Sequence, residues 1–380
     1  MRHLAQAKPG RQHRAGADGS ECRPWAKFRT SFHRVSQTRE RHLSFRGRPH
    51  LAPTLRCLTR HAQTHSGMDR EKAFALAPWR VRRPAQIRVS TTPAIWISSA
   101  LSPLTARTSG RPQISIGLID GPVALDHPDL AAENIHEVPG KLPGACADGS
   151  DAACAHGTFI AGILLARRAS VAPAICPGCS LLVRAIFEGA PANGEQMPSA
   201  SAEELADAII DVIHAGARVI NLSVALQGAS PRGGRSLQAA LDFALHRGVV
   251  VVAAAGNQGA VGGSVITSHP WVIPVVAYDV GGRPMGISNL GASIGRCGLG
   301  APGEAVTSLG VTNPLTMGGT SAATPFVTGA VALIWSEFPA AAAAEVRSAV
   351  TRAGAPRRST IVPPLLNAWS SYQAMSMARS

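Results

Sequence analysis

From about residue 112 the chain alternates short, unbroken apolar runs with longer stretches whose apolar positions recur every three or four residues. Ile114–Ile119, Leu181–Phe187, Val219–Val224, Val249–Ala254 and Val272–Ala277 are the runs, rich in Val, Ile and Leu. A run with little polar alternation suits a strand covered on both faces, as in a parallel sheet. Helix signals lie between the runs. Ala202–Ala215 carries Leu205, Ile209 and Ile213 at fourfold spacing and stops at Gly216. Leu237–His246 stops at Gly248. His156–Arg168 reads as an apolar helix opened by the histidine, and Phe326–Phe338 as a buried helix just behind Ser321. Strand and helix in alternation predict an α/β fold, a three-layer sandwich with a mainly parallel central sheet flanked by helices. There is no internal repeat and no second apolar core.

This pattern divides the chain. Residues 1–67 form a basic leader, 68–111 an N-terminal extension, 112–355 the α/β domain and 356–380 a C-terminal tail. The formal net charge is +14, which by itself suggests a polyanion partner. Its distribution removes that signal from the domain. Residues 1–90 hold 20 Lys+Arg against 5 Asp+Glu, whereas residues 91–380 hold 17 against 18. The leader contains seven of the 13 histidines and no sustained apolar periodicity, so it cannot bury enough surface to fold alone. It fits a nucleic-acid or membrane arm, or an Arg-rich transit peptide. It also fits a start codon assigned too far upstream, with translation beginning at Met68, and this is the reading preferred here. A zinc site at Cys57, His61 and His65 fails for want of an upstream Cys-x-x-Cys pair.

Neither Met1 nor Met68 opens a signal peptide of the usual charged and apolar regions, and Pro93–Ile97 is too short to span a bilayer. A cytoplasmic protein without a membrane partner is expected. In an oxidising compartment the Cys146/Cys154 and Cys176/Cys179 pairs could each close a small disulfide, and a cytosolic location argues against it. Cys176-Pro-Gly-Cys179 reads as a turn before a strand, without redox or metal chemistry.

Three polar residues sit at the edges of buried elements. Asp120 ends the run Ile114–Ile119 and precedes the turn Gly121-Pro122. His156 heads His156-Gly157-Thr158. Ser321 lies in Gly319-Thr320-Ser321-Ala322-Ala323-Thr324-Pro325, at a loop-to-helix junction where unpaired N–H groups favour developing negative charge. Each alone has a plain explanation: a turn former, a solvated helix-start residue and a helix cap. Together, in the order Asp, His, Ser, they match the chain order of subtilisin. The segments resemble those of the subtilase (peptidase S8) family over residues 112–340, including its His-Gly-Thr and Gly-Thr-Ser-x-Ala-x-Pro signatures.

The resemblance implies a serine endopeptidase acting on peptide or protein substrates through an acyl-enzyme. Ser321 would be the nucleophile, His156 the general base and then acid, and Asp120 the group that fixes the imidazole tautomer. Asn257, in Ala254-Ala255-Gly256-Asn257 after a strand, matches the family's oxyanion-hole segment. Ser223, Val224 and Ala225 match the segment that pairs with an extended substrate, with Ala225 where the family commonly has Gly. Ala254, Ala255 and Gly256 resemble one wall of the pocket for the side chain before the scissile bond. His269 reads as a surface loop residue near that pocket's base, and Phe159 stands where the family often has a second histidine. Some family members bind calcium. Asp207 and Asp211 lie on one helix face without an oxygen-rich loop and are read as solvated, so no metal site or other cofactor is assigned.

Within the family, Asp120-Gly121-Pro122, Ile287-Ser288-Asn289 and Gly300-Ala301-Pro302-Gly303-Glu304 look most like cyanobactin maturation proteases, which trim ribosomally made precursor peptides inside the cell. The expectation is therefore precursor-peptide processing. A general degradative intracellular subtilase and a non-catalytic binding protein of the same fold remain as alternatives.

Overall fold

A computed structural model describes residues 72–76, 99–147, 151–187, 199–226, 231–353 and 360–379. The leader, its possible zinc ligands and the Met68 start lie outside these residues.

Its strands, in chain order, are β1 (Lys72–Leu76), β2 (Ser115–Asp120), β3 (Ile135–Glu137), β4 (Ser180–Ala185), β5 (Ser199–Ser201), β6 (Val219–Leu222), β7 (Val224–Leu226), β8 (Val250–Ala254), β9 (Val272–Tyr278), β10 (Leu299–Pro302), β11 (Val306–Ser308) and β12 (Leu315–Met317). The helices are α1 (Ser102–Arg107), α2 (Ala152–Leu165), α3 (Ala202–His214), α4 (Pro231–Arg247), α5 (Val265–Ser268), α6 (Ala292–Cys297), α7 (Thr320–Glu337), α8 (Ala343–Arg352) and α9 (Ala368–Met377).

Seven strands form the central sheet in the order β10-β9-β8-β6-β2-β4-β3, and each neighbouring pair is parallel. Successive side chains of a strand face opposite sides of the sheet. Every residue of β4, β6, β8 and β9 is buried, so both sides are covered, as the unbroken Val/Ile runs require. The covers are helical. α7 lies along β6, β8, β9 and β10 and packs against α2, while α3 and α4 pack on each other, α3 against β2 and β4 and α4 against β8. Strand order turns at β2, with β4 on one side and β6 on the other. In open α/β sheets such a reversal leaves a crevice at the carboxyl ends of the strands, and Asp120 is the last residue of β2.

Three elements depart from the sequence expectation for identifiable reasons. The run Val219–Val224 splits at Ser223: β6 stays in the parallel sheet and β7 leaves it to pair antiparallel with β1. α4 begins at Pro231 rather than Leu237. Proline suits a first helical position, and the polar turn 232–235 hides the start from an apolar-periodicity reading. α2 begins at Ala152, so His156 lies in its second turn instead of opening it. Asp151 caps this helix by accepting from the Ala153 N–H at 2.8 Å.

The segment 360–379 packs onto the domain. The Tyr278 hydroxyl donates to the Pro363 carbonyl at 2.6 Å, Leu365 bridges Gly300 on β10, and α9 packs against α8 and α1. Among the described residues no helix is long and apolar enough to cross a membrane.

Candidate active site

Asp120 is fully buried, and its position is set by β4 and β6 on either side of β2. Its Oδ1 accepts from the Gly121 N–H at 2.7 Å and from His156 Nδ1 at 2.6 Å. A carboxylate can only accept, so Nδ1 carries the proton and Nε2 is left as the acceptor. His156 is itself buried. Its helix comes very close to the turn after Asp120: a Cβ on Gly157 would lie 2.3 Å from the Pro122 carbonyl oxygen, and one on Gly121 2.1 Å from that of Ala153. Glycine at both positions lets the two backbones approach and brings the imidazole onto the carboxylate.

Ser321 is the second residue of α7, where backbone N–H groups have no partner within the helix. Its hydroxyl donates to the Ser223 carbonyl at 2.9 Å. The return contact depends on Pro325. Proline has no N–H, so it frees the Ser321 carbonyl four residues back. That carbonyl accepts from the Ser223 hydroxyl at 3.2 Å instead. The Ser223 hydroxyl also accepts from Asn221 Nδ2 at 2.8 Å, and Asn221 Oδ1 accepts from the Thr328 hydroxyl at 2.8 Å. A buried polar chain thus fastens α7 to the end of β6. The helices carrying His156 and Ser321 pack on each other.

Asn257 follows β8 and faces the start of α7. Its Oδ1 accepts from both the backbone N–H and the hydroxyl of Thr320, each at 2.9 Å. The Thr320 hydroxyl in turn accepts from the Gly256 N–H at 3.2 Å. With the carbonyl end pinned, the amide orientation is fixed, and Nδ2 is buried with no hydrogen-bond partner. An unpaired buried donor normally costs about 1–3 kcal/mol. Gly319 makes room for it. This residue has φ +114°, and an added Cβ would lie 2.7 Å from Asn257 Nδ2.

Of the candidate substrate-binding positions, Ser223 and Val224 are buried. Val224 and Ala225 pair with Leu76 and Ala75 of β1, which lies between β7 and β5 in a three-stranded antiparallel sheet. The edge expected to take a peptide is therefore held by a strand of the chain itself. Ala254 and Ala255 are buried at the end of β8, and Ala255 packs with Val276, Tyr278 and Ile294. Gly256 has φ +104° and lies against Asn289.

Three expectations are corrected. Cys146 and Cys154 form a disulfide, which a cytosolic location argues against, because α2 starts early enough to put Cys154 beside the loop carrying Cys146. Cys176 and Cys179 are buried and not cross-linked, and burial pushes the Cys176 thiol well above its ordinary range. His269 is buried rather than on the surface. Its Nδ1 accepts from the Trp271 N–H, and its Nε2 lies 3.2 Å from Asp242 Oδ1. Of the two aspartates read as solvated, Asp207 is exposed but Asp211 accepts from Arg184 Nε at 3.0 Å. Among the described residues no three His, Cys, Asp or Glu side chains converge as a metal site would require. Sequence reasoning misses the roles of Asn221 and Thr328. The one signal for Asn221 was a polar residue inside an apolar run.

Residues 111–363 match the model of the subtilase family of S8 peptidases. Subtilisin DY of Bacillus licheniformis is 32% identical over 242 residues, which is 62% of this chain and 81% of that protein. The chain spans less of some longer curated relatives, 51% and 58% of their length. Among solved structures, the protease domain of PatA is 28% identical with a TM-score of 0.62, covering 71% of this chain and 97% of that one. The prenylagaramide maturation protease PagA is 25% identical with a TM-score of 0.61, covering 72% and 98%.

Proposed function

The chain belongs to the subtilase family of serine endopeptidases, and on that premise we propose that it processes ribosomally made precursor peptides through Ser321, His156 and Asp120. The observation that carries the reading is the buried, unpartnered Nδ2 of Asn257 beside the first turn of α7. A donor kept idle in the resting protein is a cost to folding. It is accounted for if an oxyanion fills the place during turnover.

A peptide lies along β7 as an added antiparallel strand, in the place that β1 holds. The Ser321 hydroxyl leaves the Ser223 carbonyl and gives its proton to His156 Nε2 as Oγ attacks the scissile carbonyl carbon. Asp120 holds Nδ1–H and stabilises the imidazolium. Asn257 Nδ2–H and the Ser321 backbone N–H receive the oxyanion. The imidazolium then protonates the leaving amine, and water repeats the sequence on the acyl-enzyme.

Peptide-maturation activity is supported by the similarity to PagA, named as a maturation protease, and to the protease domain of PatA. We place its action in the cytoplasm, where reducing conditions would open the Cys146–Cys154 bond; an oxidising compartment would keep it closed. Rapid alkylation of extracted protein, followed by mass measurement, distinguishes the two.

The test of function is cleavage of precursor peptides mapped by mass spectrometry beside unfolded casein. A maturation protease cuts the precursors at one boundary and spares casein. Equal digestion of both identifies a degradative enzyme, and cutting of neither identifies a binding protein.

A further inference from the structure

We infer that the Cys146–Cys154 cross-link positions His156 on Asp120, and that a dithiol reductant slows turnover by opening it. This rests on the reading of His156 as general base. The cross-link joins the two sides of that pair. On the aspartate side, Val123 lies three residues beyond Asp120 and bridges Ala145 in parallel register: Val123 N–H donates to the Gly144 carbonyl at 2.8 Å, and Cys146 N–H to the Val123 carbonyl at 3.1 Å. On the histidine side, Cys154 lies two residues before His156 in α2 and is buried. The disulfide completes a ring that runs from Asp120 through Val123, the 144–146 segment, the two sulfurs and α2 to His156. The 2.6 Å Nδ1–Oδ1 hydrogen bond closes it.

Ala124 N–H also donates to the Thr158 hydroxyl at 2.9 Å, two residues beyond the histidine, and the Cys146 sulfur lies 4.0 Å from that hydroxyl. The Asp151 cap bonds only within α2's own first turn and does not restrain the helix against β2. The cross-link is the covalent restraint on the first turn of α2, and therefore on the approach of the imidazole.

The chemistry is an ordinary thiol–disulfide exchange with a dithiol. Cys146 is half-buried and Cys154 buried, so a reductant thiolate attacks the Cys146 sulfur. The S–S bond breaks and Cys154 leaves as thiolate and takes a proton. The reductant's second thiolate then attacks its own sulfur in the mixed disulfide. It forms the reductant's disulfide and releases Cys146, which is protonated. Two electrons and two protons pass to the protein.

The full chain is assayed in oxidised form, after dithiothreitol, and as the Cys146→Ser, Cys154→Ser double variant. The readouts are kcat and KM on a fluorogenic peptide, the rate of fluorophosphonate labelling of Ser321, and the melting temperature. Misplacement of a reacting group by about 1 Å can cost about 10²-fold. For the smaller freedom released here, kcat should fall about tenfold, KM should stay within about twofold, and labelling should slow in step. Reoxidation restores the rate. The double variant is as slow as the reduced enzyme and indifferent to reductant. Unchanged kcat, a loss confined to KM, a fast double variant, or a loss that coincides with unfolding at the assay temperature overturns the inference. Equal labelling of both redox states sinks the inference alone, whereas absent labelling of the oxidised enzyme removes the reading beneath it as well.

Discussion

Replacing Gly319 with alanine tests whether the Asn257 amide acts where the geometry puts it. Two costs follow from the structure. With φ at +114°, a residue with a Cβ is strained there, at about 1–3 kcal/mol of stability. The Cβ also lies 2.7 Å from Asn257 Nδ2 and 3.1 Å from Oδ1 and Cγ. The amide cannot yield freely, because Oδ1 is held by both the N–H and the hydroxyl of Thr320. Its NH₂ must turn away. Loss of one preorganised donor costs about 10²–10³ in kcat. A displaced donor should cost less, about 10–100-fold, or about 1.4–2.7 kcal/mol of activation free energy. The assay is steady-state hydrolysis of a fluorogenic peptide by Gly319→Ala, Asn257→Ala and the double variant, at a temperature where all are folded by circular dichroism. If Gly319 acts through Asn257, the double variant is no slower than Asn257→Ala, and KM moves little in any of them. Penalties that multiply, or a folded Gly319→Ala with wild-type kcat, would refute this reasoning.

Other perturbations probe other parts of the account. Ser223→Ala removes the partner of Asn221 Nδ2 and of the Ser321 carbonyl. Denaturant unfolding should show a loss of about 1–3 kcal/mol, the cost of unsatisfied buried polar groups, and a wild-type midpoint contradicts the polar chain. Ala75→Pro removes an N–H from β1 in the full chain, at a position paired with Ala225. Weakening the resident strand by one or two bonds of about 0.5–1.5 kcal/mol should lower KM for an extended peptide several-fold, and an unmoved KM would mean that the peptide does not compete for this edge. Burial pushes the Tyr278 phenol up to about 12 from an ordinary value of 10.0. The folded state therefore holds the proton more tightly than the unfolded chain. The associated stability is complete below pH 10 and is lost as the pH rises from there towards 12. Tyr278→Phe should flatten that alkaline loss in urea midpoints. Equal slopes in both proteins would exclude Tyr278 as its source.

Much of the fold was legible because its signals are local. The β-branched runs of β8 and β9 suit strands of a sheet covered on both faces, and Asp120 stands out as the charge that ends the run Ile114–Ile119. Ser321 is marked by the glycine before it and the apolar helix behind it. What stayed hidden depends on distant partners. The Ser223–Ser321 and Asn221–Thr328 contacts join residues 98 and 107 positions apart, and neither end announces the other. β1 is five residues of ordinary composition whose pairing with β7 and β5 has no local sign. His269, between Ser268 and Pro270, has the polarity of a loop. Only the packing of Asp242 and Trp271 around it makes it an interior residue. The Cys146–Cys154 bond stays open in the sequence for another reason: a separation of eight residues permits it, but whether it forms turns on the redox compartment.

The central claim is that Ser321 is a nucleophile made reactive by the His156–Asp120 pair. The direct measurement is fluorophosphonate labelling of the oxidised full chain, located by peptide mapping and repeated on His156→Ala. The account predicts one adduct, on Ser321, whose formation slows at least about a hundredfold without the imidazole, within the range assigned to general-base catalysis. Labelling at another serine, or at an unchanged rate in folded His156→Ala, would contradict it.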